Sequence, residues 1–411
     1  MTEPRKSDID KNSPLQGIFV LEYGVFHAGP GAGAILGDLG AEVIKIEEMT
    51  GDPARYWARV GNMNMAMPNG DSATFHYSNR NKRSICLDIK SVEGRRIFER
   101  LIARTDVFLT NVRQSTKKKL GIDYQTLQGL NSRMIHANVS GYGPEGSMSD
   151  IGAFDPLGLA RSGLMFAYGG QEPKLMHIGI LDQATAIAAS HAVITALFTR
   201  ERSGMGQEVH VSLYSTGQWL NGIALMINSL LGIDPIVSED RTIHSPLRNR
   251  YVCKDGKWII CTHHPEEKYW SRFCEAIEHK DWLSDPRFAD TDSRRTNQEE
   301  LIGLLDEIIK TRTSDEWMKI FVEKGLMFCP VQHVTEIQND PQALVNRYMV
   351  DFQDPEFGKI RIAGYPFHFS ANSAGTRSLA PSLGQHTIEV MEELGYSDEE
   401  IERFKKEEVI R

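Results

Sequence analysis

The chain has 411 residues, 41% of them hydrophobic and 25% charged, and a formal net charge of −9 at pH 7. Its length allows a large buried core and predicts two domains, while its negative charge disfavours nucleic acids and anionic membrane surfaces as partners. We find no leader segment and no apolar run of about 18 residues, so the sequence predicts a cytoplasmic protein without membrane contact.

The five cysteines share no metal-ligand spacing: Cys86, Cys253, Cys261, Cys274 and Cys329. An odd number without a C-x-x-C pair is typical of reduced thiols rather than of disulfides or a zinc cluster. The only adjacent histidines, His263 and His264, have no spaced partner set. The sequence therefore predicts that no metal is bound.

The first predicted elements are a polar arm and a strand–helix–strand unit. Met1 to Ser13 is rich in charged and polar residues, which is typical of a frayed terminus. Ile18–Leu21 and Val43–Ile46 are short apolar runs of the kind expected for buried parallel strands. A glycine-rich turn at Gly29 opens the helix that joins them, which predicts a nucleotide-binding style of sheet.

This glycine-rich turn has two interpretations. Gly29, Gly31 and Ala34 fit G-x-G-x-x-A, and Glu47 or Glu48 follows where a ribose-binding acid would stand, which would indicate NAD and a dehydrogenase. Glycines that allow close packing of the helix on the sheet explain the same pattern. Because a proline stands inside the turn, the packing interpretation is favoured.

A second strand–helix–strand unit follows a long loop from Asp52 to Ala73. Its strands are Ser84–Asp88 and Val107–Leu109, and the helix between them is Val92–Arg104. Asn111 comes directly after the last strand, at the sheet edge where ligands bind in open α/β folds.

The chain beyond this edge carries basic and glycine-rich segments. Arg113 and the run Lys117–Lys119 follow Asn111, and such a run is most often a solvated helix face. A strand at Met134–Val139 then leads into a glycine-rich loop in which Tyr142 offers an aromatic face for stacking on a ligand.

Asp182 stands at the start of an alanine-rich segment, Gln183 to Arg200, which is predicted to be a buried helix of about five turns. A carboxylate at that end accepts backbone N–H groups and lies in the positive end of the helix dipole, which would keep it ionised. On this local pattern alone, a structural N-cap is the simpler interpretation.

The character of the sequence changes near Gly232. Arg250 to Cys261 predicts a β-hairpin with an Asp-Gly turn, and Thr313 with Glu316 forms a capping box that starts a helix. We therefore predict an N-terminal part of a large domain at 1–231, a small α+β domain at 232–328, and a C-terminal return at 329–411 that ends in a helix at Asp398–Lys406.

Several segments resemble the class III coenzyme A transferases, the CaiB/BaiF family of formyl-CoA and carnitine CoA transferases, which includes α-methylacyl-CoA racemases. These landmarks occur in the family's order along the chain: Leu15–Gly17, Ala28–Pro30, Gly37–Glu47, Asn81–Asp88, Ser140–Gly143, Gly204–Val209, Asn339–Pro341 and Ala380–His386. The resemblance implies an α/β fold with a Rossmann-like large domain built from both chain ends, and two subunits that interlock.

The resemblance also implies roles for individual residues. Asp182 takes the position of the catalytic aspartate, which forms acyl-anhydride and CoA-thioester intermediates. The family's contacts to coenzyme A, here a substrate thioester, fall on a set that also has Arg113 nearby: His27, Ala28, Leu87, Lys90, Asn111, Lys119 and Tyr142. His27 replaces a glutamine of the formyl-CoA enzyme, and Glu48 replaces an arginine. The substrates implied are an acyl-CoA and a small carboxylic acid.

Alternatives to a CoA-transferase remain within the same family. A racemase needs two acid/base groups, and its histidine would stand where this chain has Phe154, which cannot move a proton. A non-catalytic subunit paired with a homologous chain is a further alternative to a homodimer. Met165, Phe166, Tyr168 and the methionine loop at Met63–Met67 predict a roomy acid pocket for an aromatic or dicarboxylic acceptor.

Overall fold

The computed structural model describes residues 12–236 and 238–411, so all but the last two residues of the predicted arm at Met1 to Ser13 lie outside it. Of those two, Ser13 is buried. The chain forms two compact units, one built from residues up to 235 together with 345–411, and the other from residues 236–344.

The larger unit is built on a parallel sheet of six strands, and two short strands pair as a hairpin beside it. In chain order the strands are β1 Phe19–Tyr23, β2 Glu42–Glu47, β3 Arg59–Val60, β4 Met63–Asn64, β5 Lys82–Cys86, β6 Val107–Thr110, β7 Ile135–Ser140 and β8 Glu208–Ser212. The order in the sheet is β5-β2-β1-β6-β7-β8. The chain moves outward from β1 in one direction and then returns to continue in the other, so β1 and β6 flank a topological switch point.

Helices cover both faces of this sheet. They are α1 Ala28–Asp38, α2 Ala73–Asn79, α3 Val92–Ile102, α4 Gln114–Leu120, α5 Tyr124–Leu127, α6 Asp155–Arg161, α7 Leu164–Gly169, α8 Ile180–Ser203, α9 Leu213–Leu220 and α10 Gly222–Leu231, with a 3₁₀ turn at Pro53–Tyr56. One core lies under α1 and α8, and the other lies under α3. Strands buried on both faces read as continuous apolar runs, which is why the sequence revealed them.

The long helix α8 packs against α1, β7 and β8. The sequence was expected to lack an apolar run of about 18 residues, but among the described residues α8 is the one helix long and apolar enough to cross a membrane, with a mean hydropathy of 1.3. Its contacts explain that composition, because Leu181, Ala189 and Val193 belong to the core above the sheet.

The smaller unit contains a three-stranded antiparallel sheet, β9 Arg250–Val252, β10 Trp258–Cys261 and β11 Phe328–Pro330. Its helices are α11 Glu267–Ala276, α12 Thr291–Thr296, α13 Gln298–Ile309, α14 Ser314–Glu323, α15 Val334–Ile337 and α16 Pro341–Val345, with 3₁₀ turns at Arg241–Ile243 and Lys280–Leu283. The predicted hairpin and the Thr313–Glu316 capping box are both present. The predicted boundary at 328/329 falls inside β11, which pairs with β10, and the smaller unit continues to residue 344.

The C-terminal return belongs to the larger unit. It contains β12 Met349–Asp354, β13 Gly358–Ala363, α17 Thr387–Glu393 and α18 Asp398–Lys406, the last with the predicted bounds. The hydroxyl of Thr387 accepts a hydrogen bond from the backbone N–H of Cys86 at 3.1 Å. Leu87 forms a bridge with Ile410, so the chain end extends the edge of the sheet next to β5.

A buried cluster of charges is formed by side chains of β1, β2 and the start of β5, together with Asp52 and Arg55 after β2. The two carboxylate oxygens of Glu22 bind Lys45 at 3.0 Å and Lys82 at 2.7 Å. Lys45 also contacts Asp52, and Arg55 contacts Glu47. Three cations and three carboxylates thus neutralise one another, which a buried group of charges requires.

Gly33 of α1 makes room for this cluster, because a Cβ there would lie 2.1 Å from Glu22 Oε2. We expect Gly33→Ala to displace the buried carboxylate and to lower the free energy of unfolding by about 3 kcal/mol or more. Gly303 is a matched control, since a Cβ added at that exposed helical position meets no atom within 4 Å. Gly303→Ala should instead stabilise by about 0.5–1 kcal/mol. Urea unfolding of both variants measures the difference, and equal stabilities would contradict it.

Candidate active site

A cleft of about 1340 Å³ opens at the topological switch point of the sheet. Tyr23, Gly24 and Val25 at the end of β1 form one wall, and Val112 and Thr116 after β6 contribute to another. Parallel α/β sheets bind ligands at the carboxyl edge near the switch point, so the topology itself selects this position.

The cleft is rich in cations: Lys90, Arg95, Arg96, Lys118 and Lys119. Lys90 is paired with Glu48 at 2.8 Å, and Glu48 also lines the cleft. The predicted solvated lysine face is therefore only partly correct, because Lys117 is buried and bonds Asn138, whereas the next two lysines are exposed in the cleft. The cleft can accept an anionic ligand of nucleotide size.

Asp182 is the third residue of α8, and the helix begins earlier than the sequence predicted. Ile178 and Gly179 both have left-handed backbones, with φ of +73° and +61°, and this turn sets the start of the helix at Ile180. A β-branched residue is strained in that conformation, and strain of this kind concentrates at functional sites.

The expectation that Asp182 caps this helix is wrong, since Asp155 performs that role. Asp155 Oδ2 accepts hydrogen bonds from the backbone N–H groups of Leu181 at 2.7 Å and Asp182 at 3.0 Å. The Asp182 side chain is thus relieved of capping and has no such donors of its own in the described structure.

The expectation that the helix end keeps Asp182 strongly acidic needs the same correction. Burial, and secondly the negative charge of Asp155, raise the pKa of Asp182 from its ordinary 3.8 to about 7. A carboxylate with a raised pKa is a stronger base and a better nucleophile once it is ionised. The site therefore contains a poised carboxylate near neutral pH.

This raised pKa has a consequence for stability. Between about pH 4 and pH 7 the folded protein keeps a proton on Asp182 that the unfolded chain has released, so stability falls as pH rises through this window. We expect Asp182→Asn, which cannot ionise, to raise the melting temperature more at pH 8 than at pH 5. Thermal unfolding at the two pH values tests this, and an equal change at both would refute the raised pKa.

Three aromatic side chains, Phe26, Trp57 and Phe154, form a cluster of ring contacts. Phe154 directly precedes Asp155 and packs edge-on against Phe26, with ring centroids 5.0 Å apart. Phe26 follows Val25 of the cleft and also contacts Trp57 at 6.0 Å. Phe26 has a φ of +62°, and its N–H donates to Asp52 Oδ1 at 3.1 Å. This apolar cluster thus follows Val25 of the cleft along the chain, and its member Phe154 directly precedes Asp155.

The structure brings only some of the predicted CoA contacts into the cleft. Lys90 and Lys119 line it, and Asn111 supports its rim through hydrogen bonds with the N–H and the carbonyl of Val25. The other predicted contacts do not line it: His27, Ala28, Leu87, Arg113 and Tyr142.

Each of the outlying residues has a definite place. Leu87 is a core residue with a buried side chain, and Ala28 is buried at the start of α1. The Arg113 guanidinium lies over Gly152, and Tyr142 is half-buried in the loop after β7. His27 is turned toward α2 and α8, where it bonds Ser78 and Gln183.

Gly29 and Gly31, which fit the pattern of an NAD-binding turn, lie within α1 and allow close packing. A Cβ at Gly29 would lie 3.2 Å from Asn111, and one at Gly31 would lie 3.0 Å from the Cβ of Ala186 in α8. The close approach of α1 to α8 and to the cleft rim therefore explains them, and the phosphate-binding turn is not formed.

Fold and site together define an α/β enzyme of the doubly wound type, with a cationic cleft at its switch point and a poised carboxylate nearby. A family model described as CoA-transferase family III matches residues 15–387. The chain belongs to this family, and it is an acyl-CoA:carboxylate CoA-transferase by class.

Named relatives and solved structures agree with this assignment. The chain is 31% identical to (R)-2-hydroxy-4-methylpentanoate CoA-transferase of Clostridioides difficile, over 97% of this chain and 99% of that protein. It is 28% identical to cinnamoyl-CoA:phenyllactate CoA-transferase of Clostridium sporogenes, over 96% and 97%. A CAIB/BAIF family protein from Brucella suis superposes with a TM-score of 0.83 at 28% identity, over 93% of this chain and 100% of that one.

Proposed function

We propose that this protein moves CoA from an acyl-CoA donor to a small carboxylic acid through covalent intermediates on Asp182. The observation that carries the proposal is the half-buried carboxylate of Asp182, whose pKa is raised to about 7. The backbone N–H of the same residue donates a hydrogen bond to Asp155. We place this reaction in the cytoplasm.

The reaction on Asp182 takes four displacements. An Asp182 oxygen attacks the donor thioester carbonyl, so that a C–O bond forms, the C–S bond breaks, and an anhydride and a CoA thiolate result. The thiolate attacks the aspartyl carbonyl, which releases the donor acid and leaves an aspartyl-CoA thioester. The acceptor carboxylate then displaces CoA to form a new anhydride, and CoA thiolate attacks the acceptor carbonyl to regenerate Asp182.

The surroundings of Asp182 suit these steps. No net proton is consumed, so the site needs an ionised nucleophile and a dry environment rather than an acid/base pair. The aromatic side chains Phe26, Trp57 and Phe154 form an apolar cluster, and Phe154 directly precedes Asp155. These side chains favour an acceptor acid with an apolar or aromatic part. They suit the predicted aromatic acceptor better than the predicted dicarboxylic one.

Coenzyme A would lie with its phosphates in the cationic cleft. Lys90, Lys118 and Lys119 stand there as candidates to bind phosphate oxygens, and Glu48 must give up its bond with Lys90 for that lysine to take part. Five predicted CoA contacts do not line the cleft: His27, Ala28, Leu87, Arg113 and Tyr142. Of these, we propose only His27, Ala28 and Tyr142 as neighbours of the pantetheine arm.

A transfer assay tests the proposed function. Purified protein is incubated with succinyl-, acetyl- or cinnamoyl-CoA and a panel of aromatic, dicarboxylic and hydroxy acids, and new thioesters are identified by liquid chromatography with mass spectrometry. We expect transfer to at least one acid of the panel with an apolar part. Exclusive use of oxalate would overturn the apolar pocket, and hydrolysis of the acyl-CoA to free CoA and free donor acid without transfer would overturn the transferase.

A deuterium-exchange measurement distinguishes the racemase alternative from the transferase. Racemisation exchanges the α-hydrogen of an acyl-CoA with solvent, so a 2-methylacyl-CoA would gain deuterium in D₂O. Phe154 stands where that branch has its histidine, and its ring packs on Phe26. We expect no deuterium uptake from this chain.

We further propose that α9 and α10 are covered by a second copy of this chain, in an interlocked homodimer. None of the residues of α10 is buried, and Trp219, Ile223 and Leu230 are 86%, 81% and 73% exposed. An apolar surface of this kind marks an interface. A heteromer with a homologous subunit is the alternative, and a relative named as an alpha subunit, from Chloroflexus aurantiacus, shows 30% identity.

A charge placed on this surface should dissociate the dimer. We expect Trp219→Glu combined with Ile223→Glu to convert a dimer into a monomer, since two buried unpaired charges would cost several kcal/mol. Light scattering after size exclusion measures the mass. Val322→Glu, at an exposed valine of the smaller unit, is the control and should leave the mass unchanged. A wild-type monomer would contradict the proposal.

A further inference from the structure

The three consecutive lysines of α4 have different surroundings. Lys117 is 3% exposed, whereas Lys118 and Lys119 are exposed and line the cleft. Successive residues of an α-helix differ in direction by about 100°, so an inward Lys117 leaves the next two side chains facing outward. A buried lysine is costly unless its ammonium group has partners, and the reaction on Asp182 makes no use of it. The partners of Lys117 therefore indicate what its burial achieves.

A closed cycle of hydrogen bonds starts at Lys117 of α4 and returns to the residues that follow this helix. Lys117 Nζ donates to the amide oxygen of Asn138. The amide nitrogen of Asn138 donates to Nδ1 of His136 at 2.9 Å, and Nε2 of His136 donates to the carbonyl of Ile122 at 2.9 Å. The N–H of Ile122 donates to the carbonyl of Lys117 at 3.0 Å. The cycle thus ties the end of α4 to strand β7.

The proton positions in this cycle follow from the lysine. Burial lowers the pKa of Lys117, and the charges of Glu208 and Asp123 oppose that decrease and favour the ammonium form. An ammonium group only donates, so the Asn138 oxygen faces Lys117 and its nitrogen faces His136 and Glu208. His136 is then neutral with its proton on Nε2, since burial lowers its pKa to about 4. The hydrogen bonds of the cycle can therefore run in only one direction.

Lys118 and Lys119 are the cations of the cleft whose charges are free for a ligand. The other cations of the cleft each have a carboxylate partner: Lys90 with Glu48, Arg95 with Glu99 and Arg96 with Glu93. In the part of the chain that the structure describes, the side chains of Lys118 and Lys119 have neither an ion pair nor a hydrogen bond. Two such ammonium groups at adjacent positions of one helix suit a phosphate group.

Arg95 removes a repulsion that an anion would meet at this end of α4. The last carbonyls of a helix carry a partial negative charge. Arg95 donates to the carbonyl of Leu120 at 2.8 Å and to the carbonyl of Gly121 at 3.0 Å. Because its guanidinium faces the helix end, the binding of a phosphate is left to the two unpaired lysines.

We propose that Lys117, Asn138 and His136 are positioning residues for the phosphate end of coenzyme A, because they fix the rotation of α4 that presents Lys118 and Lys119 to the bound phosphates. The inference rests on the proposed function, which places CoA in the cleft. Hydrogen bonds fix direction as well as contact, whereas an apolar side chain in place of Lys117 would let the helix rotate without losing a specific partner. The arrangement acts on the phosphates alone.

A comparison of CoA with pantetheine, which lacks the phosphates and the nucleotide, tests the inference. We expect Lys118→Gln and Lys119→Gln each to raise the Kd of CoA about 10-fold in titration calorimetry and to change the Kd of pantetheine by less than about 2-fold. Lys117→Met keeps the length of the side chain but removes the donor. It should raise the Kd of CoA about 5-fold or more and leave that of pantetheine nearly unchanged.

A second variant breaks the cycle at another bond. His136→Phe removes the hydrogen bonds to Asn138 and Ile122 and can keep the ring contacts with Phe108 and Tyr124. It should weaken CoA binding in the same selective way as Lys117→Met.

Arg200→Met is the matched control. Arg200 is another buried cation of the larger unit, but it lies on α8 and bonds Asp106 at 2.8 Å. This variant should lower the melting temperature and leave both Kd values unchanged, which separates positioning from a general loss of stability.

The outcomes distinguish the inference from the proposed function. An unchanged Kd of CoA in Lys118→Gln and Lys119→Gln overturns the inference, even if the buried variants do not fold. Wild-type affinity for CoA in Lys117→Met, or equal weakening of CoA and pantetheine, overturns it as well. The expected pattern of Kd values in a protein that transfers no CoA would overturn the proposed function and leave the inference standing.

Discussion

Asp182→Ala should abolish CoA transfer, with a decrease in kcat of at least about 10⁴-fold, because it removes the carboxylate that we propose forms the acyl-enzyme bond. The cleft is formed by residues at the ends of β1 and β2 and around α3 and α4, and Asp182 is not among the residues that line it. The variant should therefore bind CoA with an unchanged Kd. The measurements are the transfer assay and titration calorimetry with CoA.

The covalent intermediate gives an independent readout. During turnover the wild type should be trapped by hydroxylamine or borohydride on the peptide that contains Asp182, as identified by mass spectrometry. Asp292→Ala is a matched control, because that aspartate is almost fully exposed on α12, and it should behave as the wild type. Turnover by Asp182→Ala, or an adduct on another residue, would exclude the covalent route.

Asp155→Ala should lower kcat by about 10²-fold although Asp155 forms no covalent bond. Its Oδ2 holds the N–H groups of Leu181 and Asp182, so its loss lets the first turn of α8 shift, and a displacement of 1 Å can cost that much in rate. The lost cap should also lower stability by about 1 kcal/mol. Asp123→Ala removes a comparable cap from α5 and should lower stability without affecting kcat.

Asp155→Asn separates the position of Asp155 from its charge. The amide oxygen still accepts from the backbone N–H groups, but the negative charge that helps raise the pKa of Asp182 is gone. The rise of kcat/KM with pH should therefore move to lower pH than in the wild type, whose midpoint is expected near 7. An unchanged pH profile would show that Asp155 acts only through geometry, and an unchanged rate for Asp155→Ala would contradict its positioning role.

Most of the larger unit's elements could be predicted because its buried strands contain short apolar stretches, such as Phe19–Leu21 in β1 and Val43–Ile44 in β2. The start of α8 could not, because a left-handed isoleucine at position 178 has no sequence signature. The cap by Asp155 was hidden for a different reason. It comes from 26 residues earlier in the chain, and only the packing of α6 beside α8 brings it to Leu181.

The candidate site shows the same division. Asp182 was predicted from its family position, and its catalytic role stays a prediction. Lys90 and Lys119, predicted as CoA contacts, line the cleft. Leu87 does not, since its side chain belongs to the core beside α17. The hydrogen bonds of Gln183 with His27 and Tyr77 could not be predicted, because they join three segments that are remote in sequence. Polar side chains that meet only through tertiary packing leave no periodic pattern.

The two ion pairs of Glu22, with Lys45 and Lys82, have a consequence for chimeras of this protein with its relatives. The residues at positions 22, 33, 45 and 82 must be kept together. The Glu22 carboxylate needs the ammonium groups of Lys45 and Lys82, and it also needs a glycine at position 33 because a Cβ there would clash with it. A chimera whose crossover falls between β1 and β5 brings together partners of different ancestry. Such hybrids are viable only when both parents carry the same quartet, whereas a junction after β5 leaves it intact.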